Sequence, residues 1–424
     1  MAATQEPTSS ALRPEDDAHI RFLLRLGRAL HCYGYPSPNL EAALTRLADR
    51  FGLDSQFFST PTSINLAFGP LEHQRTFMLR VEPGETNLER MAQLHGVIRD
   101  VMEGGLTSEE ATRRVDQILE QRSRYPRWLQ VISFGLASGG AALFLGGGVL
   151  EVVPAIAIGW VIGLLAQLGQ RSRGVRAIFE PVAACLAAFL AAGAAHLFGA
   201  LSIYTATLAG LIVLLPGFTL TVALTELATR HLVSGTARLA GAGTLFLTIA
   251  FGVAVGNRGA LAIFGPTPTA PPISPLGWTE LVALLVAPLA FVVLLRAAPR
   301  DAPWIVLTAV VAVESGRLGV ALLGPEWGSV LGALAVGLTS NAYSRLLGRP
   351  AAVTQVPGIL LLVPGAIGFK SLASILDRDI VLGIETLFRM AFVAVSLVAG
   401  LLLSNVVLPA RRDLARTTGG GSRA

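Results

Sequence analysis

From residue 128 onward apolar residues run in long blocks separated by short polar stretches, whereas before it they recur at helical and strand spacing. A hydrocarbon core of about 30 Å takes roughly 20 apolar residues in a helix. Ten blocks approach that length, near 128–148, 152–168, 181–199, 201–220, 239–256, 279–297, 303–322, 327–346, 352–368 and 381–407. Ahead of them the spacing predicts helices near 18–34, 39–51, 87–103 and 107–122. SQFFST, SINLAFG and RTFMLRVE read as three short strands with turns at Pro61 and at Gly69-Pro70. Thr107 and Glu110 form a capping box for the last of those helices.

Sliding the chain by 148 positions lays LLPGF (214–218) over LVPGA (362–366). The same shift pairs Gly235 with Gly383, Leu239 with Leu387, Gly252 with Gly400 and Asn257 with Asn405. It also lays spans one to five on spans six to ten. Five is an odd number, so duplicated halves must insert in opposite orientations, an architecture that transporters use to open alternately to either side. The predicted fold class is an α-helical polytopic membrane protein: two inverted five-span repeats, about ten transmembrane helices, preceded by a small α+β cytoplasmic domain. The expected segments are a disordered tail (1–17), the α+β domain (18–127), the membrane units (128–257 and 279–408) and a cytoplasmic tail (409–424).

Composition agrees with that division. Only 14% of residues are charged against 52% hydrophobic, and mean hydropathy is +0.60, where a soluble chain carries about 25% charged residues. Residues 1–127 hold 15 Arg and 17 acids, while 128–424 hold 17 Arg, one Lys and 11 acids in more than twice the length. The net charge of +5 sits in short loops between spans, where Arg sets orientation, so no nucleic acid is expected. Arg122, Arg124 and Arg127, then Arg171, Arg173 and Arg176, Arg230 and Arg238, Arg296 and Arg300, Arg345 and Arg349, and Arg411, Arg412 and Arg416 fall on alternate loops. Both termini are therefore expected in the cytoplasm, with the chain in the cytoplasmic (inner) membrane. The N-terminal stretch lacks the apolar core of a signal peptide. Cys32 and Cys185 lie far apart, which argues against a disulfide framework.

Proline removes a backbone donor, and at membrane depth such a break needs a partner from protein or from a water-lined cavity. The paired breaks at Pro216-Gly217 and Pro364-Gly365 thus mark either a central site or a pair of packing kinks. As a site they would place Pro216, Gly217, Phe218, Pro364, Gly365 and Ala366 at the substrate, with Glu314 and Asn341 as polar neighbours. Charge inside a span tends to face a cavity, which makes Glu226, Glu314 and Arg317 candidates for ion coupling. Glu314 and Arg317, three apart on one helical face, could equally be a self-neutralising structural pair. Glu180 reads as a helix-start acid and His196 as a wet histidine near a span end. Gly135, Ser138, Gly139 and Gly140 make a small-residue packing face, and Gly147 is expected to tolerate a side chain better than Gly217 or Gly365. No CxxC, HExxH, GxSxG or GxGxxG motif occurs in the N-terminal domain, and the chain has no P-loop. No metal, cofactor or catalysis is expected. The domain reads as regulatory or assembly-forming.

The runs RALHCYGYPSPNLEAALTRLADRFGL (28–53), FFSTPTSI (57–64), LLPGFTLTVALTELATRHLVSGTARLAGA (214–242) and LLVPGAIGF (361–369) resemble the bacterial threonine/serine exporter family in motif and in order, over roughly 18–408. In some bacteria the two halves of such proteins are separate chains associated with succinate export. The resemblance implies secondary export of threonine, serine or a related small dicarboxylate, driven by protons. The expected partners are that solute, protons, the lipid bilayer and, as a candidate, a second copy of the chain. A channel or regulated pore is the alternative, and a membrane-embedded hydrolase a third reading.

Overall fold

The computed structural model describes residues 14–82, 84–169, 173–199, 201–267, 277–324, 327–362, 365–376 and 379–410. The expected N-terminal tail up to residue 13, Pro364 and the C-terminal tail from 411 lie outside the described residues. The N-terminal unit contains α1 (Pro14–Cys32), α2 (Ser37–Phe51), β1 (Ser55–Thr60), β2 (Ser63–Phe68), β3 (Arg75–Arg80), α3 (Leu88–Met102) and α4 (Ser108–Glu120). The strands form one antiparallel sheet in the order β1-β2-β3. Strand β2 alternates in burial, and Ile64, Leu66 and Phe68 turn inward to meet Phe22, Leu26 and Leu30 of α1 and Leu44 and Leu47 of α2 in one core. Helix α2 follows Pro36 as its N-cap residue and carries Pro38 in its first turn, where the missing N–H costs nothing, and it is capped by Gly52 with φ 70°, a left-handed conformation that glycine adopts without penalty. The capping box of α4 forms as read: Thr107 accepts from the Glu110 N–H, and the Glu110 carboxylate accepts from the Thr107 N–H.

The rest is helical: α5 (Arg127–Phe144), α6 (Val149–Gly169), α7 (Arg173–Ala177), α8 (Phe179–Phe198), α9 (Ile203–Gly210), α10 (Gly217–Ala228), α11 (Leu232–Phe264), α12 (Gly277–Leu294), α13 (Ala302–Leu323), α14 (Ser329–Leu347), α15 (Ala352–Leu362), α16 (Gly365–Leu376) and α17 (Ile380–Val407). Among the described residues, seven helical segments are long and apolar enough to cross a membrane: those of α6, α8, α11, α12, α13, the α15–α16 pair and α17. The protein is thus a polytopic membrane protein. Three expected blocks, 128–148, 201–220 and 327–346, are not among the seven. Helices α5 and α14 are richer in Gly, Ser, Gln and Asn, and the block at 201–220 is divided between α9 and α10, which Leu211–Pro216 separates.

A displacement of 148 carries the bounds of α10 residue for residue onto those of α16. The glycines paired by that displacement make matching contacts. A Cβ on Gly235 would come within 2.9 Å of the Ala223 carbonyl, and one on Gly383 within 3.1 Å of the Ser371 carbonyl. On Gly252 it would overlap the Pro181 carbonyl and crowd Ala184; on Gly400 it would overlap the Val330 carbonyl and crowd Ala333. Small residues thus let α11 lie on α8, and α17 on α14, at backbone distance. Gly135 and Gly139 do the same for α5 on α6, and Gly140 faces Ala287 of α12 at 3.0 Å. Gly147 is tighter than its sequence context suggests, since a Cβ there would meet the Ala142 carbonyl and Glu151 at 2.9 Å. It is therefore no tolerant position. Gly241 and Gly243 have nothing within 4 Å.

These contacts set a stability contrast. Gly252→Ala should destabilise the protein in detergent by about 1–3 kcal/mol, because the obstacle is backbone and cannot swing aside. Gly241→Ala should be neutral or stabilising by a few tenths of that, from helix propensity alone. Thermal unfolding followed by tryptophan fluorescence ranks the two, and equal midpoints would refute the packing account.

Candidate functional site

The N-terminal unit rests on the helical part through two helix N-termini. A helix start leaves backbone N–H groups without intrahelical partners and carries positive partial charge. At α2 the Ser37 N–H donates to Glu226 Oε1 at 3.0 Å. Glu226 has no exposed surface. It also accepts from the Ser234 hydroxyl at 2.8 Å and from Arg238 Nε at 3.0 Å, and the Ser37 and Ser234 hydroxyls lie 2.8 Å apart. At α3 the Leu88 and Glu89 N–H groups donate to the Leu295 and Arg296 carbonyls at 3.0 and 3.1 Å, so the end of α12 caps the start of α3. Arg296 turns there with φ 52° and pairs with Glu85. The Tyr125 hydroxyl donates to the Ala297 carbonyl at 2.6 Å.

Around the first junction stand two more ionisable groups. His31 is buried, with one ring nitrogen 2.9 Å from the Thr60 carbonyl, and burial pulls its pKa below the ordinary histidine value. Glu41 accepts from the Ser59 N–H at 2.7 Å and lies 3.4 Å from His231. Burial pushes its carboxyl up.

Between the two junctions lies a cavity of about 410 Å³, within the range that takes a small solute. Its walls are helical stripes. Helix α10 contributes Phe218, Thr221, Val222 and Thr225, spaced three and four apart, and α14 and α17 contribute Asn341 and Asn405. The start of α15 adds Gln355, Val356 and Ile359. The N-terminal unit closes the other side with Asn39, Ala42, Ala43 and Arg46 of α2, and Met91 and His95 of α3. The depth is built from hydroxyls and amides. Asn341 donates to Asn405 at 3.0 Å and to the Leu408 carbonyl at 2.7 Å, while Thr221 and Thr225 donate to carbonyls one turn back at 3.1 and 2.8 Å. Below α15, buried Asp301 accepts from Tyr343 at 3.0 Å and pairs with Arg349, fixing the wall that starts at Pro350.

Of the residues singled out in the sequence, Phe218, Glu226 and Asn341 meet at this cavity, with Pro216 and Gly217 at the buried start of α10 beside it. Gly365 opens α16, whose Ala366 instead packs with Phe369, Leu208, Leu211, Phe246 and Val253 in a closed apolar cluster. These are the 148-residue counterparts of several cavity residues: Ala366 of Phe218, Phe369 of Thr221, Leu208 of Val356, Leu211 of Ile359. One set of positions lines a cavity, and its counterparts among the described residues belong to an apolar cluster. Glu314 and Arg317 lie apart from both, on an exposed surface, where Arg317 bonds Glu314 at 3.0 Å and Glu280 at 2.8 Å. Glu180 lies in the first turn of α8 as expected, and His196 is exposed and stacked on Phe264. Sequence reasoning missed Arg46, Asn39, Gln355, Asn405 and Asp301. A polar residue on the small-residue stripe of α2 was the available signal for Arg46. Asp301, a lone acid between Arg300 and Pro303, was legible as a helix-start acid.

Comparison with known proteins gives a consistent set of relatives. The family model described as "Putative threonine/serine exporter" matches residues 21–258, more than half of the chain, and the model described as "Threonine/Serine exporter, ThrE" matches 280–407. Proteins named pheromone-regulated membrane protein 10 are also similar. That of Eremothecium gossypii is 28% identical over 368 residues, 83% of this chain and 48% of the relative. That of Candida albicans is 28% identical over 369 residues, 83% of this chain and 33% of the relative. In Yarrowia lipolytica the values are 27% over 368 residues, 82% and 30%. The chain spans less than half the length of these relatives. No solved structure matches it significantly.

The Glu226 junction is open to direct test. Removing one partner of a buried ion pair costs about 3–5 kcal/mol, so Glu226→Leu should release the start of α2 while the helical part stays folded. Hydrogen exchange of the amides of residues 37–45 should quicken by about two orders of magnitude or more. Glu314→Gln, at an exposed pair worth at most about 1 kcal/mol, should leave that exchange unchanged.

Proposed function

The chain belongs to the threonine/serine exporter family, and on that premise we propose that it is a secondary transporter exporting threonine, serine or a related small organic acid across the cytoplasmic membrane, coupled to protons. The observation that carries this reading is the pairing of a polar cavity on one side with an apolar cluster at the counterpart positions on the other. A transporter must close one access path while the other is open, and a continuous pore would need both. The cavity's size and its mixture of hydroxyl, amide and apolar groups suit a small hydroxy amino acid, which presents a carboxylate, an ammonium and a hydroxyl. The fungal relatives' names speak of a membrane protein under pheromone regulation and of no substrate.

In this reading the seven long apolar segments are completed by α5, the α9–α10 pair and α14 to give ten spans in two inverted halves. The matched glycine contacts support the duplication. The N-terminal unit touches 226–238 and 295–297, both assigned to the cytoplasmic side by their Arg residues, which supports a cytoplasmic placement of that unit and a cavity open to the cytoplasm. The expected alternation begins there: solute enters from the cytoplasm, the cavity closes, and the cluster around Phe369 parts. Glu226 is engaged in the junction, and its coupling role would require the junction to open during the cycle.

Two measurements test this. Reporter fusions after Arg127 and after Arg416 should both read as cytoplasmic, and a periplasmic signal from either would overturn the orientation. In proteoliposomes, labelled threonine or serine should exchange against unlabelled solute and accumulate when a proton gradient is imposed. Gly217→Val, beside Phe218 at the cavity, should lower flux by about tenfold or more, the scale of a small misplacement at a site, whereas Gly241→Ala should transport as wild type. Fast downhill flux without accumulation would favour a channel. Unaltered flux in Gly217→Val would place the site elsewhere.

A further inference from the structure

The α10 and α14 walls of the cavity have spent their donors and kept their acceptors. The hydroxyls of Thr221 and Thr225 donate to the Gly217 and Thr221 carbonyls at 3.1 and 2.8 Å. A hydroxyl has one proton and two lone pairs, so each is left as an acceptor on a residue that lines the cavity. Asn341, with only 2% of its surface exposed, is fixed more firmly. Its amide nitrogen carries two N–H groups, and it donates to the Leu408 carbonyl at 2.7 Å and to Asn405 Oδ1 at 3.0 Å. The Leu408 carbonyl can only accept, so it dictates which end of the Asn341 amide turns towards it. Asn341 Oδ1 therefore remains at the cavity, where it is not sealed from the open space. Among the described residues, none donates a hydrogen bond to that oxygen or to either threonine hydroxyl. The single carboxylate on the wall, Glu226, is already held by Arg238, the Ser37 N–H and the Ser234 hydroxyl. Helix packing alone does not call for these oxygens. The residues 148 positions away from Thr221, Thr225 and Asn341 are Phe369, Ala373 and Gly193, none of which has an acceptor in its side chain.

We propose that Thr221, Thr225 and Asn341 form the ammonium-binding side of the cavity and take a protonated amine of the solute through oxygens whose own donors are committed. An ammonium carries three N–H donors and no acceptor, the complement of such a wall. Neutral acceptors also avoid a buried carboxylate that would lack its countercharge whenever the cavity is empty. This rests on reading the cavity as a solute site, and it sharpens the choice of solute. Amino acids are selected over hydroxy acids and dicarboxylates of similar size. Succinate brings only acceptors to a wall of acceptors, and desolvated acceptors left without donors are costly.

The test is equilibrium binding to the purified full-length chain in detergent, with labelled threonine, serine, succinate and 3-hydroxybutyrate, the last being threonine with hydrogen in place of the ammonium. Wild type should bind threonine or serine about 10-fold or more tighter than succinate and 3-hydroxybutyrate, the scale of hydrogen bonds to a charged group. Thr221→Val, which keeps the shape and loses the oxygen, should raise the Kd for threonine by about 10-fold on the same scale and leave 3-hydroxybutyrate unchanged. Thr221→Ser keeps the acceptor and should bind nearly as wild type. Asn341→Leu should act in the same direction as Thr221→Val. Thr236→Val is the control, because Thr236 makes the same bond to the carbonyl one turn back, at 2.7 Å to Leu232, but is exposed on α11 and outside the cavity lining. Its loss should leave every Kd unchanged. Unfolding midpoints equal to that of wild type identify the variants that are folded. Should succinate or 3-hydroxybutyrate bind as tightly as threonine, the solute-site reading stands and the ammonium assignment is overturned. The assignment also falls, again without the solute site, if folded Thr221→Val and Asn341→Leu bind threonine with the wild-type Kd. Binding of none of the four by wild type would overturn the solute-site reading and the assignment with it.

Discussion

Glu226 has no exposed surface, and a carboxylate in that condition needs its charge met on the spot. Arg238 meets part of it from the first turns of α11. The remainder is met by a hydroxyl and by the first N–H of α2, some 190 residues away in sequence. This is the contact that converts an α+β unit with its own core into one wall of a cavity. The second junction works by the same physics with neutral partners, since the carbonyls that end α12 are the natural complement of the amides that begin α3. Both junctions use groups that each element would otherwise have to satisfy with water. Docking therefore replaces hydration with internal partners, and those hydrogen bonds fix the orientation of α2 and α3. The stripe carrying Arg46 faces the cavity because Ser37, at the head of the same helix, is held.

In the helical part a displacement of 148 residues matches backbone contacts but not the side chains around them. Gly252 and Gly400, or Gly235 and Gly383, preserve the close approach of helices, where any side chain would strike a carbonyl. The positions lining the cavity have no such obligation. Where one half carries Thr221, the other carries Phe369; where one carries Val356 and Ile359, the other carries Leu208 and Leu211. Bulk and polarity are free to differ, and the difference leaves a polar cavity around one set of positions and an apolar cluster held by dispersion around the other.

Much of this was legible in the sequence, for physical reasons. The strands and helices of the N-terminal unit follow from period, and the capping box of α4 from a two-residue signature. The Pro216-Gly217 break follows from the missing donor of proline. The displacement of 148 was legible because glycines under backbone contact cannot vary. What could not be read is which side chains meet across the junctions. Arg46 sits in a run that reads as an ordinary amphipathic helix, and only the placement of α2 over α10 gives its stripe a destination. Glu314 and Arg317 drew attention as charges within an apolar block, yet the structure sets them on an exposed surface with Glu280. Spacing indicates that two residues share a face, but not what that face looks upon. The count of spans was ambiguous for a related reason, because α5 and α14 exchange apolarity for the small and polar residues that packing and the cavity require.

A solute with a carboxylate poses a difficulty for a membrane protein, because a full countercharge buried in the span region is expensive in the absence of solute. A cation exposed on the water side costs little but cannot accompany the solute inward. The cavity wall of α10, α14 and α17 avoids that cost: its polar groups are the hydroxyls of Thr221 and Thr225 and the amides of Asn341 and Asn405, whose partial charges are met by carbonyl oxygens within the protein and need no full countercharge.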